Sequence, residues 1–144
     1  MSTPSGPVLA IDPGRDKCGL AVVDARGALV FREVSATPEL EARVEEALRR
    51  FSPARVLMGD GTKSRDLRPK VIDVVERIQA GTGVELVSER HTTERARLAY
   101  WRDNPPRGLL RWLPQGMRVP PEPYDDYAAW CLALAWMGLE APDR

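Results

Sequence analysis

The sequence predicts an α/β domain built on a five-stranded mixed sheet flanked by helices. Short apolar runs that end abruptly predict buried strands, and the first three runs follow one another with no helix between them. Apolar residues three and four positions apart then predict helices that alternate with two further strands. The chain has 144 residues, of which 43% are hydrophobic and 29% are charged, and this composition is typical of one soluble domain.

The first half of the chain predicts a meander followed by a helix. Residues 8–11, 18–23 and 28–34 are three strands of an antiparallel meander, because Pro13-Gly14 and Arg26-Gly27 turn the chain between them. The next segment has the apolar spacing of one helix face, at Leu40, Val44, Ala47, Leu48 and Phe51, and Pro53 stops this helix.

The second half predicts two parallel strands and three helices. Residues 55–59 and 84–87 are strands, and between them lies a helical pattern at Leu67, Val71, Val74, Val75 and Ile78 that ends before Gly81 and Gly83. A helix from Thr92 or Thr93 to about Trp101 precedes a proline-rich stretch, 103–124, and an apolar helix from Asp125 closes the domain. We expect residues 1–7 to be a flexible N-terminus and 8–140 a single domain.

Charge and cysteine content narrow the class of protein. The formal net charge is zero, but basic residues concentrate in 61–70 and 90–118, which predicts either a basic face or two solvated helix surfaces. No apolar stretch approaches the ~20 residues of a membrane span, and the first residues do not resemble a secretory signal. We expect Cys18 and Cys131 to be reduced thiols in the core of a cytoplasmic protein.

Acidic residues end three of the predicted strands. Asp12, Asp60 and Glu89 each follow an apolar run, and Asp125 opens the last helix with Glu122 and Asp126 nearby. An acid at a strand end is often only a turn former or helix cap. Because the carboxyl ends of parallel strands meet at one edge of a sheet, three such acids instead indicate a site that binds divalent cations, for which Mg²⁺ is the natural candidate.

Three motifs resemble one nuclease family. The segment Val8 to Arg15, followed by Cys18-Gly19-Leu20-Ala21-Val22, resembles the opening strand and hairpin of the RuvC and YqgF nucleases. Residues 88–93, Ser-Glu-Arg-His-Thr-Thr, resemble the Asp-Glu-Arg-Leu-Thr-Thr motif of the YqgF family, and residues 125–129 are similar to its final Asp-x-x-Ala-Ala. The order and spacing agree, and the resemblance covers roughly residues 8–138.

This resemblance implies a ribonuclease H-like fold with strand order 3-2-1-4-5 and a catalytic metal site of Asp12, Glu89 and Asp125. The site would bind Mg²⁺ or Mn²⁺, as two ions. The family is described as Holliday-junction resolvases and as nucleases that mature the precursor of small-subunit ribosomal RNA. The implied function is a metal-dependent endonuclease acting on branched DNA or structured RNA, and a junction resolvase would require a homodimer.

The chain departs from the family pattern at the fourth strand. The family usually has Gly-Leu-Pro there, whereas this chain has Met58-Gly59-Asp60-Gly61. RuvC-type resolvases carry an acid at the end of that strand, so the middle metal ligand is Glu89, Asp60 or both. Contributions from Glu122 and Asp126, and the role of His91 where the family has Leu, also stay open.

Basic and aromatic residues near these acids are candidates for nucleic-acid contacts. Side chains that could reach a phosphate lie beside Asp12, Asp60 and Glu89, namely Arg15, Lys17, Lys63, Arg65, Arg90 and Arg95. Tyr100, Trp101 and Trp112 could stack on bases, although helix packing and loop anchoring are the ordinary roles of such side chains.

Two other functions share parts of this pattern. A nucleic-acid-binding domain with weak or lost catalysis would keep the fold and the basic residues. Sugar kinases and actin-like ATPases also begin with a strand, an Asp-x-Gly and a hairpin, but they need two lobes and this length accommodates one. No motif identifies a dimer face, to which Trp130, Trp136 and Met137 would contribute if they were exposed.

Overall fold

A computed structural model describes residues 5–61, 63–88 and 125–138 of the chain. Its strands are β1 (Val8–Asp12), β2 (Lys17–Val23), β3 (Leu29–Ala36), β4 (Arg55–Gly59) and β5 (Val84–Val87). Its helices are α1 (Leu40–Phe51), α2 (Ser64–Ile78) and α3 (Asp125–Met137), with a short 3₁₀ turn, Thr37–Glu39, before α1. The predicted helix after Thr92 or Thr93 lies outside the described residues. The division into residues 1–7 and 8–140 stays a prediction.

The five strands form one mixed sheet in the order β3-β2-β1-β4-β5. β1 and β2 pair antiparallel, as do β2 and β3, whereas β4 lies parallel to both β1 and β5. The predicted meander, the parallel strands and the strand order are therefore confirmed. The parallel pairing also brings the carboxyl ends of β1, β4 and β5 to the same edge of the sheet, which we call the carboxyl edge.

Each face of the sheet packs against different helices. Leu9 and Ile11 of β1 belong to a buried cluster with apolar residues of α1 and α2. Val8 and Ala10, which alternate with them, belong to a second cluster with α3. Successive side chains of a strand point to opposite faces, so this division fixes the face on which every residue of the inner strands lies.

Local signals explain where several elements end. Ser52 ends α1 in the left-handed conformation, with φ of 44°, and its N–H donates to the Leu48 carbonyl just before Pro53. Between β2 and β3, the Asp24 carboxylate accepts the N–H groups of Arg26 and Ala28 at 2.8 and 3.0 Å. These bonds hold the pKa of Asp24 below its usual range, because they stabilise the ionised carboxylate.

Helix α3 donates side-chain hydrogen bonds to the β2–β3 turn and to β5 from its middle and from near its C-terminal end. The Trp130 indole N–H donates to the Gly27 carbonyl at 3.0 Å, and that of Trp136 donates to the Glu85 carboxylate. Both tryptophans are half-buried and Met137 is buried, so these side chains contribute to packing within the chain. Met137 is therefore not exposed as a contribution to a dimer face would require, and the homodimer itself stays a prediction.

Cys18 and Cys131 are both buried and do not form a disulfide with each other, as expected of core thiols. No helix among the described ranges is long and apolar enough to cross a membrane.

Candidate metal and nucleic-acid site

Asp12 is the last residue of β1 and lies at the carboxyl edge, partly buried. Val8 and Ala10 pack towards α3, and Asp12 continues their alternation. The carboxylate therefore belongs to the face of the sheet that α3 covers. Pairing with β2 and the burial of the preceding residues of β1 fix the backbone of Asp12.

Glycines flank Asp12 on both neighbouring strands. Gly19 of β2 lies opposite Asp12 in the antiparallel ladder. Gly59 ends β4 one position after Met58, which pairs with Ile11. Neither residue has a side chain to occupy the α3 face beside Asp12. A glycine inside a strand often marks a close approach by a ligand or another backbone, and Gly19 and Gly59 carry this signal in the sequence.

Asp60 follows β4 directly, and its N–H donates to the Val87 carbonyl at 3.0 Å. Its backbone therefore lies at the carboxyl edge, as predicted. However, Met58 packs in the cluster with α1 and α2. Because side chains alternate between the faces of a strand, Asp60, two positions later, belongs to the face opposite that of Asp12. Asp60 is exposed and lines a cleft of about 270 Å³ with Gly61 and the first turn of α2.

The predicted basic contacts differ in their surroundings. Arg15 lies within the loop after Asp12 and Lys17 directly after it, and both side chains are exposed. Arg65 is exposed and lines the same cleft as Asp60. Lys63 is half-buried, and its ammonium group pairs with the Asp66 carboxylate at 3.2 Å. A cation that is already paired is less available to a phosphate, so Lys63 is the weakest of these four candidates.

The remaining predicted residues cannot be compared in the same way. Glu89, Arg90 and Arg95 lie outside the described residues, as do His91 and Glu122. Asp125 begins α3, but its side chain and that of Asp126 are also outside them. Among the side chains that the structure describes, no three of His, Cys, Asp or Glu come together as a metal-binding group.

The donor chemistry fits a hard divalent cation. The candidate ligands Asp12, Glu89 and Asp125 all offer carboxylate oxygens, which Mg²⁺ and Mn²⁺ prefer. The two cysteines, which would favour a softer metal, are buried and lie at 0% and 1% exposure. Gly19 and Gly59, which flank Asp12, are themselves buried and place no side chain between Asp12 and a bound ion.

Comparison with solved structures shows the fold. RuvC of Thermus thermophilus matches with a TM-score of 0.58 and 22% sequence identity, over 94% of this chain and 99% of that one. The fowlpox virus resolvase, solved with its Holliday-junction DNA substrate, matches with a TM-score of 0.53 and 16% identity, over 92% and 97% of the two chains. No family model and no curated protein matches the sequence. The part of the chain that the structure describes has a ribonuclease H-like fold.

Proposed function

We propose that this protein is a metal-dependent endonuclease that hydrolyses phosphodiester bonds in structured nucleic acid. The observation that carries the proposal is the position of Asp12, at the carboxyl edge between two glycines, on the face covered by the helix that begins with Asp125. The two solved structures of similar fold are RuvC and a resolvase bound to Holliday-junction DNA, which supports a nucleic-acid substrate.

We assign the metal ligands to Asp12, Glu89 and Asp125. Asp12 has the alternation of the α3 face, and Asp125 opens α3 itself. Val87 also packs on the α3 face, and Glu89 follows it by two positions in the sequence. Asp60 belongs to the opposite face of the sheet. This favours Glu89 over Asp60 as the metal ligand that lies between Asp12 and Asp125 in the sequence.

Each group of the chain has a stated role in this proposal. The three carboxylates would hold two Mg²⁺ or Mn²⁺ ions, which when bound supply an activated water and stabilise charge on the leaving oxygen. Arg15, Lys17 and Arg65 contact phosphates on either side of the reacting one and fix the register of the strand without reading bases. Arg90 and Arg95 are assigned the same role on the basis of sequence alone.

The substrate is Holliday-junction DNA or the precursor of small-subunit ribosomal RNA, in keeping with the resemblance to the YqgF family, and the protein acts in the cytoplasm. A junction resolvase cuts two strands symmetrically and would act as a homodimer, whereas an RNA-processing nuclease has no such requirement.

The test is cleavage of a labelled four-way junction, single-stranded RNA and duplex DNA in Mg²⁺ and in Mn²⁺, with EDTA controls. The proposal predicts cleavage of the junction or of the RNA that depends on the added metal. Tight binding of either substrate without cleavage under any metal condition would contradict it and favour a nucleic-acid-binding domain that has lost catalysis.

A further inference from the structure

The loop that follows Asp12 is tied to the residue that begins the 3₁₀ turn after β3. The Thr37 hydroxyl donates to the Gly14 carbonyl at 2.9 Å. The backbone N–H of Thr37 donates to the Asp16 carbonyl, also at 2.9 Å. One residue thus binds the loop at two points, across 23 positions of sequence in the case of Gly14.

A buried thiol completes this arrangement. Cys18 is fully buried, and its Sγ lies 3.4 Å from the Thr37 hydroxyl oxygen. Because the Gly14 carbonyl can only accept, the Thr37 hydroxyl must donate to it, and the Cys18 thiol then donates to the Thr37 oxygen. The thiol to Gly14 distance of 3.9 Å is longer, so the hydroxyl is the main partner of that carbonyl.

The loop conformation itself excludes a side chain at Gly14. A Cβ added there would lie 2.1 Å from the Lys17 carbonyl oxygen, and the obstacle is backbone that cannot move aside. The loop from Pro13 to Asp16 is therefore tightly folded, and Thr37 anchors it through the carbonyls of Gly14 and Asp16. Asp12 precedes this loop, and the exposed Arg15 and Lys17 lie within and directly after it.

We propose that Thr37 is a positioning residue for the nucleic-acid backbone. It fixes the loop so that Arg15 and Lys17 are held beside Asp12, where each contacts a phosphate. Thr37 itself does not touch the reacting atoms. The proposal rests on the proposed nuclease function, and it assigns the substrate contact at this end of the site to the sugar-phosphate backbone, since both loop cations are exposed and neither pairs with a described acid.

The test compares two variants of Thr37. Thr37→Val keeps the shape of the side chain and removes the hydroxyl, whereas Thr37→Ser keeps the hydroxyl. Binding of a labelled four-way DNA junction is measured in EDTA across a range of salt concentrations. Thr37→Val should weaken binding about fivefold and reduce the magnitude of the slope of log K against log salt by about 1 to 2, because one or two phosphate contacts are lost. Thr37→Ser should stay within about twofold of the wild type, and Thr82→Val, the same change before β5, should have no effect.

Cleavage kinetics separate positioning from chemistry. Thr37→Val should raise KM with little change in kcat, and it should add nothing further in an Arg15→Gln, Lys17→Gln background. Unchanged binding and salt slope, or a loss of kcat alone, would overturn the proposal.

The hydrogen bonds from Thr37 to Gly14 and Asp16, which we call the clamp, can be tested by amide hydrogen exchange of the wild type. This test does not depend on the folding of any variant or on nuclease activity. The Thr37 N–H should be protected, because it donates to the Asp16 carbonyl. Exchange at the rate of an open chain would overturn the clamp. A wild type with a protected Thr37 N–H that neither binds nor cuts nucleic acid would overturn the positioning role along with the proposed function and would leave the clamp itself intact.

Discussion

Gly19 lies directly opposite Asp12 in the antiparallel ladder of β1 and β2, on the face of the sheet that α3 covers. We expect Gly19→Ala to lower cleavage roughly 10- to 100-fold, because a methyl group there would displace the reacting phosphate by about its own size. Glycine weakens a strand, so the free energy of unfolding should stay the same or rise by about 0.5–1 kcal/mol.

Paired measurements of single-turnover cleavage and urea unfolding check this expectation. The diagnostic result is lost activity in a protein that is at least as stable as the wild type. Full activity in Gly19→Ala would mean that the space beside Asp12 is not used.

The choice between Glu89 and Asp60 can be decided by comparing two isosteric variants. Glu89→Gln should lower kcat by at least about 100-fold, as expected for loss of a group that acts as part of a catalytic unit. Asp60→Asn should lower it by less than about tenfold, because Asp60 has the alternation of the opposite face of the sheet. Cleavage titrated with Mn²⁺ is the measurement, and the reverse ranking would show that Asp60 is the middle ligand.

Glu45 of α1 links α1 to α2, the two helices on the face of the sheet opposite α3. We expect it to make a pH-dependent contribution to the free energy of unfolding. Glu45 accepts hydrogen bonds from Arg77 of α2 at 3.1 Å and from Arg49 at 3.2 Å. The Arg77 bond first, and the Arg49 bond second, hold the pKa of Glu45 below its usual value of 4.5. The ionised form is thus stabilised by folding, so the contribution is complete above pH 4.5 and disappears as the pH falls through the lowered pKa.

Glu45→Gln should therefore be less stable than the wild type at pH 7, and the difference should vanish in acid below the folded pKa of Glu45. Urea unfolding of both proteins at several pH values, at low salt, measures this difference. Glu41→Gln removes an exposed acid from the same helix and should show a smaller effect. A difference that persists in acid would mean that lost packing, and not lost charge, is responsible.

The elements of the fold could be predicted because each has a local signal. Short apolar runs predicted all five strands, helical spacing predicted α1, and Pro53 predicted the end of α1 correctly. Helix α2 begins at Ser64, before the first apolar position at Leu67, because its polar first turn contributes nothing to the pattern. Strand β3 extends to Ala36 because its last residues pair with Lys17 and Cys18, and a partner strand leaves no local signal.

The site was predictable in its acids but not in their arrangement. The apolar runs predict that Asp12 and Asp60 lie at the ends of two strands, and the family resemblance implies that these strands are neighbours. That the two acids lie on opposite faces depends on which cluster the preceding side chains join. The bonds from Thr37 to the Asp12 loop depend on the register of β2 with β3. Register is a tertiary property that hydrophobic spacing constrains only when one face of a strand is buried and the other is exposed.

The central claim is that the Asp12 carboxylate is indispensable to metal-dependent cleavage, and the most direct measurement is single-turnover cleavage by Asp12→Asn. Asp73→Asn is the matched control, because it makes the same change in an exposed side chain of α2 that has no assigned role. The account predicts that Asp12→Asn loses at least about 1,000-fold in rate at saturating Mn²⁺, while Asp73→Asn cuts the four-way junction or the RNA like the wild type. Metal-dependent cleavage by Asp12→Asn at the wild-type rate would contradict it.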